Sequence, residues 1–419
     1  MTTTTTAAPT RRAAFGWAMY DFANSIWPMN VTTLYFALWV TVDHGAKDIV
    51  YGLALSASML CVAVLSPVLG AVSDRMQRRI PFLVTFTLIA VAATTLIGRV
   101  GGLQGGVLLF VVANLAFQSG LIYYDALLGS VSTQANRGRI SGMGVALGYA
   151  GTIAGIFMVK PFVDWGGRQQ AFLPTAVLFL LFSIPCFMLV KEVAPKLAWR
   201  WSHVRDGYRQ VGATLRQVRQ YRDLFRFIVA RFLYVDAIST VTSFMAVYTV
   251  KVLGFTDSMN QVLFVVGAAF AVLGAFLAGR VVDRIGPKKT LTIVLLLWVV
   301  VLVGAASTFY RPAFWAIGAL VGFSLASLWT TDRVFLLRLA PPDRLGEFFG
   351  LFGVIGKLSA VLGPLLWGGT LLALEGLGQA SYRVAILVLL SLLLAGLWVL
   401  RGVKEPAAAT SKGAGASGP

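Results

Sequence analysis

The sequence predicts an all-α membrane protein with twelve transmembrane helices in two pseudo-symmetric six-helix halves. Three observations predict it. The 419-residue chain is 58% hydrophobic and only 12% charged, where a soluble domain carries roughly 25% charged residues. Apolar runs long enough to cross a bilayer, about 20 residues each, recur along the whole length. Motifs in the first half return in the second at a nearly constant offset.

The apolar runs lie near 15–41, 50–72, 81–100, 106–129, 140–162, 170–190, 226–250, 260–282, 290–309, 312–336, 347–371 and 382–402. The longest break falls between the sixth and seventh. It gives a tail 1–14, a six-helix half 15–190, a linker 191–225, a second half 226–402 and a polar tail 403–419 expected to be disordered. The leading "MTTTTTAAPTRRAAF" resembles a signal peptide, but the run behind it is too long and lacks a small-residue cleavage site. An uncleaved first span is expected.

The net charge of +18 is a topology signal. Arg75, Arg78, Arg79, Arg137, Arg139, the basic 191–226 segment, Arg280, Arg284, Lys288, Lys289, Arg338, Arg344, Arg401 and Lys404 all fall on one side. The other side holds only Lys47, Arg99, Lys160, Arg168, Lys251, Arg311 and Arg383. Positive loops stay inside, so both termini are expected in the cytoplasm, at a bacterial cytoplasmic membrane, and nucleic acid is not an expected partner. In the linker, Trp201, Val204, Tyr208, Val211, Leu215 and Val218 follow helical spacing with Arg205, Arg209, Arg216 and Arg219 between them. The spacing predicts an amphipathic helix whose 199–222 stretch meets anionic lipid headgroups. Cys61 and Cys186 lie inside apolar runs, and His44 and His203 in separate loops. No disulfide framework, metal site, cofactor or catalytic residue is implied, and a monomer is expected.

The halves echo each other. "GAVSDRMQRR" (Gly70 to Arg79) and "GRVVDRIGPKK" (Gly279 to Lys289) both place Asp-Arg four residues after a glycine, then a basic cluster, at an offset of 209. Asp125 answers Asp332, Gly142 answers Gly350 and Asp21 answers Asp236 near the same offset. Repeated halves around a midplane site are a transporter architecture.

The two Asp-Arg loops resemble the signature loop of the major facilitator superfamily, with Gln77 where the first copy would have glycine and Gly286 kept in the second. "GWAMYDFANS", "RFLYVDAIST" and "EFFGLFGVIGKLSAVLGP" are similar to the vacuole-effluxer family, which includes autophagy-related amino-acid exporters and bacterial relatives. "YYDALL" and "TTDR" depart from that family's pattern, and each places an aspartate at a cavity position. The resemblance implies alternating access around a cavity lined by helices one, four, seven and ten. It implies export of a small polar solute such as an amino acid or amine, with H+ as the candidate coupling ion.

Each of those four helices carries an aspartate: Asp21, Asp125, Asp236 and Asp332. An aspartate at a helix centre costs about 2.5–3.5 kcal/mol on insertion scales, so four of them call for water, partners or function. All four are placed nearer the cytoplasmic helix ends, where they could form one ring. Helical spacing puts Asn24 and Ser25 beside Asp21, Asn114 and Gln118 on the face of Asp125, and Ser239 beside Asp236. Tyr20, Tyr124, Tyr234 and Trp329 supply aromatic walls. The aspartates contact a substrate ammonium, carry a proton, or form ion pairs in an inner gate, with Arg231, Arg333 and Lys357 as partners in the membrane. Lys357 also suits a substrate carboxylate. By resemblance, Asp74, Arg75, Arg78, Arg79, Asp283 and Arg284 latch one conformational state. Gly144/Gly148, Gly151/Gly155, Gly346/Gly350 and Gly363-Pro364 form either a seam that slides or bends, or static close packing.

No Gly-x-x-x-x-Gly-Lys-Ser/Thr motif is present, so ATP drive by this chain is unsupported. Lipid or lipophilic-drug efflux is the second reading. A membrane receptor or enzyme is remote, because no nucleophile–base pair or metal cluster is legible.

Overall fold

In the computed structural model the described residues are 10–76, 78–133, 136–192, 208–209, 212–213, 216, 218–308, 310–341 and 345–405. They form twelve helical spans. The first half contains α1 (Arg11–Pro28, continued to Asp43), α2 (Asp48–Met76), α3 (Ile80–Ile97), α4 (Leu103–Val131), α5 (Arg137–Gly166) and α6 (Phe172–Leu189). The second contains α7 (Arg222–Leu253), α8 (Asp257–Ile285), α9 (Pro287–Ser307), α10 (Ala313–Leu339), α11 in two pieces, α11a (Leu345–Leu358) and α11b (Leu362–Ala373), and α12 (Gln379–Arg401). Ten spans are long and apolar enough to cross a membrane. The other two, α1 and α7, are diluted by Arg11, Arg12 and Asp21 and by Arg231, Asp236 and Lys251. Leu108, Met188, Phe276 and Trp398 are among many large apolar side chains left exposed on the outside of the bundle, the surface a bilayer would cover.

Residues 10 and 405, the first and last described, lie at one end of the bundle, the terminal end; the loops at 44–47, 254–256 and 374–378 mark the far end. The halves meet along α2 with α11 and along α5 with α8. These seams exchange under the repeat, since α2 corresponds to α8 and α5 to α11. Within the first half α1 packs on α5 and α6; within the second, α8 packs closely on α10.

Two helices are irregular for local reasons. Beyond Pro28, α1 widens into π-helical stretches at Met29–Tyr35 and Trp39–Asp43, and the Tyr51 hydroxyl donates to the Thr32 carbonyl (2.8 Å). π-Bulges concentrate at functional sites. α11 breaks over 359–361 because Pro364 has no N–H to give and its ring clashes with the carbonyl four residues earlier. The break is seated on α2, where Ser56 Oγ donates to the Val361 carbonyl (2.7 Å).

Each half ends by capping its own third helix. Glu192 accepts from the amides of Arg79 (2.6 Å) and Ile80 (2.8 Å) at the start of α3. Burial pushes its carboxyl above the usual range, against the pull of those amides and of Arg79 and Arg78. Glu405 approaches the Lys288 amide (3.4 Å) at the start of α9 and pairs with Arg338 (3.2 Å). Both glutamates close the tripeptide Val-Lys-Glu, at 190–192 and 403–405. The repeated tripeptide is one more echo of the two halves in the sequence. Gly286, which ends α8, has φ +84°, the left-handed region that favours glycine.

Of the linker helix expected at 199–222, most lies outside the described residues. Tyr208 is described, and its hydroxyl donates to the Val64 carbonyl of α2 (2.8 Å). Residues 1–9 and 406–419 of the two tails also lie outside the described set.

Candidate functional site

The four aspartates do not form one ring. Two lie in the first half and open toward the space between the halves; two are buried in packing within the second. The reason is local. α7 supplies Arg231 and Tyr234 next to Asp332, and no described residue of the first half supplies a comparable partner for Asp125.

In the first half, Asp21 is half-buried and Asp125 exposed. Asn24 Nδ2 donates to Asp21 Oδ1 (3.1 Å). α5 comes close because it has no side chains there. A Cβ on Gly144 would overlap the Asp21 carboxylate, and one on Gly148 would lie 2.9 Å from Ser25 Oγ. Gly151 and Gly155 continue the face against Phe22 and Ile26. Tyr124 closes the wall. Its ring stacks on Trp17 (centroids 4.8 Å) and on Tyr20 (4.8 Å), its carbonyl accepts from Trp17 Nε1 (3.2 Å), and its buried hydroxyl approaches the Asp21 carboxylate. Asn114 is buried and donates to Ser58 Oγ on α2 (2.7 Å), so it ties helices within the half and does not reach the open space.

In the second half, Arg333 is exposed and Lys357, one residue before the end of α11a, is half-buried. Lys357 Nζ donates across the halves to Gln118 Oε1 of α4. Asp21, Asp125 and Arg333 fall within electrostatic reach of one another, as do Asp125 and Lys357. The arrangement is therefore polar in the literal sense: carboxylates on the first half, cations on the second. Trp329 is half-buried on α10, and Ser239 is half-buried one turn from Ser243 on α7.

Asp332 is enclosed. Arg231 Nε donates to Oδ2 (3.0 Å), Tyr234 donates its hydroxyl to Oδ1, and the pair has side-chain exposures of 5% and 1%. The Arg231 guanidinium also reaches the Phe352 carbonyl (3.3 Å) and lies 3.5 Å over the Phe352 ring. All of these partners belong to the second half, so Arg231 ties α7 to α10 and α11a within that half. Asp236 is fully buried, with neither carboxylate oxygen hydrogen-bonded among the described residues. Gly350 faces open space. The close packing on α11 falls instead at Gly356, against Arg231, and at Gly363, against Thr240 and the Asp236 carbonyl.

The residues of the latch loops stay at the terminal end. Arg78, Asp283 and Arg284 are exposed, and none of them pairs across the halves among the described residues. Arg79 Nη1 donates to Ser130 Oγ within its own half (3.1 Å). The side chains of Asp74 and Arg75 lie outside the described set. The halves are joined at the far end, by residues that sequence reading did not select. Arg168 holds Asp257 at the start of α8 with two nitrogens (2.9 and 3.0 Å) and also pairs with Asp43. Lys251 reaches Asp48 (2.9 Å), which also accepts from the Tyr382 hydroxyl (2.9 Å). Lys47 pairs with Glu375 (2.7 Å), and Gln261 donates to the Tyr35 hydroxyl (2.8 Å). No periodicity marks these residues. Their spacing signal is only that charges recur at far-end helix termini.

Charge-assisted bonds of the Arg168 kind contribute about 1.5–3 kcal/mol each, somewhat less where solvent reaches them. Arg168→Ala is expected to let the far end separate. Spin labels at Gly101→Cys and Tyr310→Cys, one on each half, should then show a longer and broader distance distribution. An unchanged distribution would mean the remaining pairs hold the far end without Arg168.

Comparison with known proteins follows the same line. The family described as vacuole effluxer Atg22 like matches residues 129–409. An uncharacterized MFS-type transporter, YxiO of Bacillus subtilis, is 27% identical over 411 residues, covering 93% of this chain and 94% of that one. Autophagy-related protein 22 of Yarrowia lipolytica is 28% identical over 335 residues, covering 70% of this chain and 56% of that one. Among solved structures, the nucleoside transporter NupG superposes with a TM-score of 0.73 at 13% identity, over 93% of this chain and 98% of that one. A bacterial homolog of the human lysosomal transporter Spinster gives 0.71 at 13%, over 93% and 97%. At such identities the structural likeness shows the fold alone.

Proposed function

Since the chain belongs to the vacuole effluxer Atg22-like family and is an integral membrane transporter of the major facilitator type, we propose that it exports a small zwitterionic solute of the amino-acid class. One observation carries the reading. Asp21 and Asp125 on the first half confront Arg333 and Lys357 on the second. A solute with an ammonium at one end and a carboxylate at the other satisfies both sets at once, whereas a simple amine leaves the cations unanswered. Asp21, beside the Trp17–Tyr124 wall, suits the ammonium; Lys357 and Arg333 suit the carboxylate. Gln118 occupies Lys357 until a carboxylate replaces it. Asn24, Ser25, Ser239 and Trp329 complete the polar lining in this reading, and Asp332 with Arg231 and Tyr234 forms its fixed floor.

With the basic loops inside, the terminal end faces the cytoplasm of a bacterial cell and the far-end ion pairs seal the opposite face. The conformation is then inward-facing, ready to load an exported solute. Rocking the halves breaks Arg168–Asp257 and Lys251–Asp48 and brings the Asp-Arg loops together at the terminal end. Proton coupling completes the cycle.

The test is thermal stabilisation and counterflow with the purified, reconstituted wild type. The panel comprises amino acids, the matching amines, the matching carboxylic acids, phospholipids and lipophilic cations. Stabilisation and counterflow by amino acids, with weaker effects from amines and acids, support the reading. A response to lipids or lipophilic cations alone would replace it with lipophile efflux.

A further inference from the structure

Asp236 differs from the other three aspartates. It sits at the middle of α7 with 0% exposure, and both carboxylate oxygens lack a hydrogen-bond partner among the described residues. It is aimed at the start of α11b, where the Gly363 amide is the donor that approaches it. A Cβ on Gly363 would lie 2.9 Å from the Asp236 carbonyl, so glycine is what lets the two helices touch. Gly363 belongs to the first turn of a twelve-residue helix, whose leading N–H groups have no partner inside the helix. That free end exists only because Pro364 breaks α11.

We infer that Asp236 is the proton-binding site of the transport cycle and acts on the α11 break. The inference rests on the transporter reading above, and it gives Asp236 a task separate from that of Asp21. An ionised carboxylate is attracted to the positive end of α11b and holds that end against α7. A proton on Asp236 cancels the attraction. The two pieces of α11 are then free to move relative to each other. This matters for the whole molecule, because α11 links to the first half through Lys357 to Gln118 and the Val361 carbonyl to Ser56.

The chemistry favours a proton over a metal cation. A cation needs several oxygen ligands. Here the approaching group is an N–H, and the Thr240 hydroxyl is turned to the Asp236 carbonyl (2.7 Å). Neighbouring charges do not compensate. On α7 and α10, Arg231 and Asp332 hold each other. Lys357 of α11 is engaged by Gln118, and Arg333 of α10 couples to Asp21 and Asp125. Tyr382 and Arg383 of α12 bind Asp48 and the Ala306 carbonyl. Tyr35 of α1 and Asp257 of α8 are engaged by Gln261 and Arg168. None of them pairs with Asp236 among the described residues.

Two measurements test this, one independent of any solute. Infrared difference titration of the wild type in D2O should show the carbonyl stretch of a protonated carboxylic acid that Asp236→Asn removes and Asp21→Asn retains. In proteoliposomes, a pH gradient should drive accumulation of the amino acid that counterflow identifies. Asp236→Asn should lose accumulation, falling to the equilibrium distribution, while keeping counterflow exchange; Asp236→Glu should recover part of the accumulation. The inference is overturned if Asp236→Asn leaves the infrared band in place, if it accumulates solute like the wild type, or if a sodium gradient drives uptake in place of protons. If no amino acid moves in the wild type, the substrate reading fails, and the infrared band still decides the proton site.

Discussion

Arg231→Met is expected to destabilise the protein by about 3–5 kcal/mol, the range seen when one partner of a buried ion pair is removed. The substitution leaves the Asp332 carboxylate enclosed, with Tyr234 as its remaining donor. A hydrogen bond to a charged group contributes about 1.5–3 kcal/mol, less than the several kcal/mol needed to bury an unpaired ion. The methionine also gives up the bond to the Phe352 carbonyl that ties α7 to α11a. Thermal unfolding in detergent should show a large drop in melting temperature for Arg231→Met. The double variant Arg231→Met/Asp332→Leu should regain most of it, because removing both charges removes the desolvation penalty together with the attraction. A single variant that melts with the wild type would show that water reaches Asp332 and that the pair is not sealed.

The second large effect separates the two ends of the solute. Asp21→Asn and Lys357→Met should each weaken binding of the transported amino acid by about 10–100-fold, the equivalent of one charge-assisted hydrogen bond of 1.5–3 kcal/mol. Both groups are half-buried, so solvent screening points to the lower part of that range. The matching amine should be sensitive to Asp21→Asn and indifferent to Lys357→Met; the matching carboxylic acid should show the reverse. Calorimetric titration of the three ligands against the three proteins reads this directly. Equal losses for all ligands in both variants would mean that the substitutions act on the conformation, through the Lys357–Gln118 contact or the packing of Asp21 on α5, and do not report the ends of the solute.

Much of the architecture was legible because the bilayer is a demanding solvent. A span must be apolar for about 20 residues, and that requirement writes itself into composition and run length. The repeat wrote itself a second time, through Gly70/Gly279 and Asp21/Asp236. Candidate polar residues were legible for the same reason: Asp21, Asp125, Asp236, Asp332 and Lys357 stand out against an apolar background. The membrane cations Arg231, Arg333 and Lys357 were legible as partners too, but not which aspartate each one meets. Helical periodicity says which residues share a face of one helix, and it says nothing about which neighbouring helix that face meets. Arg231 and Asp332 are 101 residues apart in sequence and 3.0 Å apart in space. Asn114 shares its predicted face with Gln118, yet it bonds Ser58 inside its own half.

The sequence by itself determined that this chain is a multi-span membrane protein built from two related halves, because those properties are sums over many residues and no single contact decides them. Only the tertiary structure decided which charges are open and which are spent. It set Asp21 and Asp125 against Lys357 and Arg333, enclosed Asp332 with Arg231, placed Asp236 at the α11 break without a partner among the described residues, and closed the far end with Arg168 and Lys251. Electrostatic interactions fall off over a few ångströms and depend on local burial, so a charged side chain's role is fixed by its immediate neighbours. Those neighbours come from helices that the chain order keeps far apart.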